Sequence, residues 1–84
     1  FFAPNVFTPN EDGINDVWSP SVIGARLYDL AVYDRWGQQV FHSTDPNASW
    51  NGEGYPQGSY TFKAWLSEYG ALEKEYVGIV SIIR

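Results

Sequence analysis

Asn10, Asp12, Asn15 and Asp16 place four oxygen-bearing side chains within seven residues, around Gly13. Hard cations such as Ca²⁺ take six to eight oxygen ligands, and Asx residues alternating about a glycine supply them in tight loops. These four residues are therefore candidate Ca²⁺ ligands. The segment is not an EF-hand, because position 18 is Trp where a bidentate Glu is needed. A second reading stands beside the first: Asx side chains also close turns by bonding their own backbone.

Tyr33-Asp34-Arg35-Trp36-Gly37 is the next segment with chemical potential. A tryptophan beside an arginine can stack on a sugar. More often it caps a core while the arginine covers it or pairs with a carboxylate. The expectation is that Trp36 joins Trp50 and Tyr60 as anchors of the core. Trp50-Asn51-Gly52 and Gly54-Tyr55-Pro56-Gln57-Gly58 read as turns that seat Trp50 and lead into a strand. Trp65 belongs to an outward face. His42, the sole histidine, lies mid-strand beside no Ser or Cys nucleophile and reads as solvent-facing. No nucleophile, base and orienter converge, no pair of carboxylates brackets a cleft, and no glycine-rich phosphate loop opens a helix. The residues do not describe an enzyme. Asn47-Ala48-Ser49 fits a glycosylation acceptor, a three-residue pattern that carries no weight alone.

The elements that hold these residues are short strands. Eight Gly and five Pro punctuate 84 residues. Period-2 alternation predicts strands over 27–34, 39–43, 59–67 and 72–83, with a short first strand over 5–8. Residues 17–23 are ambiguous because Pro20 demotes them to an edge or a loop. Turns are predicted at Arg35-Trp36-Gly37-Gln38 and Glu68-Tyr69-Gly70-Ala71. The final strand is apolar on both faces, Val77, Ile79 and Ile83 opposing Tyr76, Val80 and Ile82, which favours burial on both sides. The fold class is all-β, an immunoglobulin-like β-sandwich of six or seven short antiparallel strands in one domain spanning 1–84.

Composition narrows function further. The formal charge of −5 argues against nucleic acid and anionic lipid as partners. No apolar run approaches the roughly 20 residues of a membrane-spanning helix. With no Cys there is no disulfide framework. Four Trp, six Tyr and five Phe must stabilise the core instead, each ring burying about 150–250 Å².

Five segments then fall in an ordered set: Pro4 to Asp16, Leu30 to Phe41 with its Asp34-Arg35-Trp36-Gly37, Trp50-Asn51-Gly52, Pro56 to Tyr60, and Gly78 to Arg84. Together they resemble the gliding-motility-associated C-terminal domain of Bacteroidetes, the type B C-terminal domain of type IX secretion cargo. Glu11 stands where that family usually has Gly, and Asn51 where it often has Asp; Glu11 adds a carboxylate to the Asx loop. The resemblance implies a sorting signal that directs a large cargo or adhesin from the periplasm across the outer membrane, to the cell surface or medium. It implies type IX translocon components as partners, among them a PorP/SprF-like outer-membrane protein, and places Arg84 at or next to the native C-terminus. A translocon reading such a domain needs a surface to hold. Asp34, Arg35 and Gly37, projecting at one end, are candidate partner-binding residues, and an exposed strand edge is another route. The alternative reading is a Ca²⁺-dependent adhesive or carbohydrate-binding module using exposed aromatics such as Trp65.

Overall fold

The computed structural model describes residues 1, 3–9, 16–22, 25–68 and 73–83. Five strands form one sheet: β1 (Val6–Phe7), β2 (Ala25–Tyr33), β3 (Gln39–Ser43), β4 (Gly58–Glu68) and β5 (Glu73–Ile82). Their spatial order is β1-β5-β4-β2-β3. The described residues contain no helix.

Side-chain alternation dictates which sheet face is buried. Tyr28, Leu30 and Val32 on β2 face the same way as Tyr60, Phe62, Ala64 and Leu66 on β4 and Val80 and Ile82 on β5, and all nine are buried. The antiparallel register places them side by side, with Leu30 opposite Ala64, Val32 opposite Phe62, and Tyr60 opposite Val80. Phe62 pairs across the strands with Gly78. Its ring lies 2.6 Å from where a Cβ on Gly78 would sit, so the missing side chain is the space the ring occupies.

Irregular segments close this face. Trp18 and Trp50 exchange backbone hydrogen bonds of 2.7 and 2.9 Å in an isolated antiparallel bridge. The Trp18 indole is fully buried and donates from Nε1 to the Pro4 carbonyl at 2.7 Å. Phe7 and Tyr60 pack on Trp50 with centroids 5.6 and 5.3 Å away. Gly52 takes φ +66° beneath Phe7 and Ile82, where a Cβ would meet Ile82 Cδ1 at 2.9 Å. A side chain there meets both backbone strain and a filled space.

The chain is all-β. The five strands of its sheet correspond to the predicted strands over 27–34, 39–43, 59–67 and 72–83 and the short one over 5–8, with bounds that differ by one or two residues. Where six or seven strands in a sandwich are expected, the described residues hold five in one sheet plus the isolated Trp18–Trp50 bridge. One pairing departs from the antiparallel expectation: β1 runs parallel to β5, Val6 beside Ser81 and Phe7 beside Ile82. The chain's start returns alongside its last strand, and the sheet is joined at both ends of the sequence. The predicted turn at 68–71 lies largely outside the described residues, though β4 and β5 pair antiparallel on either side of it.

Two expectations are overturned. Trp36 is not a core anchor; it is 80% exposed, because it stands at the tip of the turn that Asp34 closes after β2. Trp18 and Phe7 take the anchoring role beside Trp50 and Tyr60. The final strand is not buried on both faces either. Tyr76, Val80 and Ile82 pack inward, but Val77, Ile79 and Ile83 are exposed, since among the described residues nothing covers the sheet's second face.

Candidate functional site

The turn between β2 and β3 is built by Asp34. Its Oδ1 accepts from the backbone N–H groups of Trp36 and Gln38, both at 2.9 Å. Its carbonyl accepts from Gly37 N–H at 3.0 Å, and its own N–H donates to the Gln38 carbonyl at 2.9 Å. Gly37 completes the turn with φ +82°, a conformation that costs an L side chain about 1–2 kcal/mol. Asp34 and Gly37 thus shape the turn, Asp34 half-buried and Gly37 exposed. They hold two side chains outward: Arg35, whose Cζ lies 5.1 Å from the Trp36 ring centroid, and Trp36 itself.

At the foot of this turn lies a groove of about 220 Å³ between residues 34–36 and the 55–60 segment. Tyr60 fixes its far wall by donating its hydroxyl to the Pro56 carbonyl at 2.7 Å. Of the predicted partner-binding residues, Asp34, Arg35 and Gly37 come together here as one turn, with Arg35 the one that faces solvent as a charge. Trp36, read from the sequence as core, is the residue that sequence reasoning missed. An Asp that bonds two and four residues ahead, closed by a positive-φ Gly, leaves the residue before that Gly at the tip.

The candidate Ca²⁺ ligands Asn10, Asp12 and Asn15 lie outside the described residues. Asp16 is half-buried and lines a larger groove of about 740 Å³ with Pro9, Val17, Asn51, Glu53 and Tyr55. Among the described residues no three His, Asp or Glu side chains converge as a metal site. His42 is solvent-facing as expected and pairs with Asp29 at 2.9 Å on the uncovered sheet face. Trp65, Val77 and Ile79 share that face, and Lys63 Nζ stands 5.8 Å over the Tyr33 ring.

This geometry is that of a small all-β domain, one sheet with exposed side chains at one turn and on one face. The chain matches the CHU_C type IX secretion signal domain family over residues 1–82 and belongs to it. No curated protein and no solved structure matches the chain. A type IX secretion signal domain is a sorting signal for cargo; it marks proteins for export to the cell surface or medium, and its work implies contact with the type IX machinery. It is not an enzymatic family. The match does not favour the adhesive or carbohydrate-binding alternative.

Proposed function

We propose that the type IX machinery reads this domain as a folded unit rather than as a linear peptide, and that the reader is a PorP/SprF-like outer-membrane protein. One observation supports the folded-unit reading: both ends of the matched span meet in the sheet. Ser81 N–H donates to the Asn5 carbonyl at 3.0 Å and Ile83 N–H to the Phe7 carbonyl at 3.1 Å. A linear signal would need no such closure.

The test is export of a reporter fused to residues 1–84 in a host with a type IX system. The intact fusion is expected in the medium or on the surface. A fusion to residues 25–84, lacking β1 and Trp18, is expected to stay inside the cell. Equal export of that fragment overturns the folded-unit reading. Undiminished export after deletion of every PorP/SprF-like gene overturns the choice of reader. Ca²⁺ binding by Asn10, Asp12, Asn15 and Asp16 rests on their ligand chemistry. Melting the domain with Ca²⁺ and with chelator decides it, a Ca²⁺-dependent rise in Tm supporting the site and superimposed curves removing it.

A further inference from the structure

We infer that Trp36 and Arg35 are the docking contact of this domain, and that the occupant is a protein of the export machinery presenting an apolar slot for the indole with a carboxylate at its rim. The inference rests on the proposed reading of the domain as a folded signal, and adds which surface is read and by what chemistry.

Exposure is the first support. A side chain as apolar as Trp36 stands 80% exposed while Trp18 and Trp50 are buried in the same small domain. Trp and Arg are the residue types that dominate binding energy at protein interfaces. Preorganisation is the second. The four hydrogen bonds around Asp34 and the φ of Gly37 hold the tip in one shape before a partner arrives, which lowers the ordering cost of docking. Charge is the third. Among the described residues Arg35 forms no ion pair, and its guanidinium rests on the indole. Like Lys63 and Lys74 it is a cation with no carboxylate partner among the described residues, but it alone of the three lies over an exposed indole, so a partner carboxylate at the rim of an apolar slot would meet both groups at once. The groove beside it, walled by Tyr55, Pro56 and Tyr60, gives the partner's rim a place to enter.

A protein fits this surface better than a sugar. Sugar stacking uses a bare ring face, and Arg35 already lies over one of the two faces of the Trp36 ring. The Asp34 Oδ1 that could bond a sugar hydroxyl accepts two backbone N–H groups instead.

The experiment uses the 1–84 reporter fusion in the type IX host, with Trp36→Ala, Arg35→Glu and, as a surface control, Trp65→Ala. Each variant domain is also melted to establish that it folds. Trp36→Ala and Arg35→Glu are expected to reduce the exported fraction about tenfold or more, the scale of a lost interface anchor, with Tm unchanged. Trp65→Ala is expected to export like the wild type. Wild-type export by Trp36→Ala, or a loss no greater than that of Trp65→Ala, overturns the inference while leaving the folded-signal reading intact. Failure of the unmutated fusion to be exported overturns that reading itself. A glycan array on which the purified domain binds, and loses binding with Trp36→Ala, replaces the protein occupant by a carbohydrate.

Discussion

Trp18 and Trp36 are chemically the same residue with opposite fates, and the difference is set by their backbones. Trp18 sits in a bridge whose strand partner is Trp50, so its ring is driven onto the sheet and its Nε1 finds the Pro4 carbonyl. Trp36 sits at the tip of a turn closed by Asp34, which directs it to solvent. Substituting each by Ala separates the two roles. Trp18→Ala is expected to cost about 3–5 kcal/mol, the range for deleting a buried aromatic. Trp36→Ala should stay within about 0.5 kcal/mol, as for an unburied surface position. Urea unfolding of both variants measures this, and a similar loss for the two would contradict the structure. A third residue responds to pH. Burial raises the Tyr28 hydroxyl above its ordinary value of 10.0. A pKa raised on folding gives stability that is whole below the unfolded value and is lost as pH climbs through the folded one. The domain is therefore expected to lose stability above pH 10.0, with Tyr28→Phe removing part of that alkaline slope. Matching alkaline profiles for the two proteins would rule out Tyr28 as its source.

At the scale of elements, the two faces of the sheet behave differently because only one is covered. Gly78 and Ile79 are neighbours on β5 that point to opposite faces. Gly78→Ala puts a methyl group where the Phe62 ring lies and is expected to cost about 1–3 kcal/mol through overpacking. Ile79→Thr changes a side chain 59% exposed and should shift stability by no more than about 0.5 kcal/mol. A thermal melt of the pair tests the assignment of faces, and a costlier Ile79→Thr would reverse it. The strands themselves were legible, since alternation over 27–34, 39–43, 59–67 and 72–83 is the direct imprint of one buried face. The rest was not, for reasons the structure supplies. Trp18 has no alternating neighbours because it sits in an irregular segment held by one isolated bridge. Apolarity alone cannot say that Val77 and Ile79 remain uncovered, since a two-faced apolar strand usually has layers on both sides. The candidate turn was half legible: the turn at 35–38 is in the sequence, in Gly37 and its neighbours, but the hydrophobicity of Trp36 outweighed the Asp34 hydrogen bonds that leave it exposed.

Across the whole molecule, the strand that joins the beginning of the sequence to its end carries more than its two residues suggest. A domain this small, with no Cys, keeps its fold on a thin margin, about 4–13 kcal/mol at 0.05–0.15 kcal/mol per residue. Removing residues 1–8 takes away Phe7, which is 1% exposed, and the stack of Phe1 on Tyr76 at 5.1 Å. It also uncovers Trp50, bares Ile82 above Gly52, and strips Trp18 Nε1 of its acceptor. One buried aromatic is worth about 3–5 kcal/mol, so these losses together consume most of the margin. The truncated domain is expected to lose its cooperative urea transition and its slow amide exchange in β5, although it keeps every residue of the four longer strands. That outcome links stability to sorting, because an export machine that reads shape would then reject a chain still carrying the whole Arg35–Trp36 turn. A truncated domain that melts cooperatively at the wild-type midpoint would instead put the folding unit within residues 9–84, and leave the parallel β1–β5 pairing as an ornament of the fold rather than its closure.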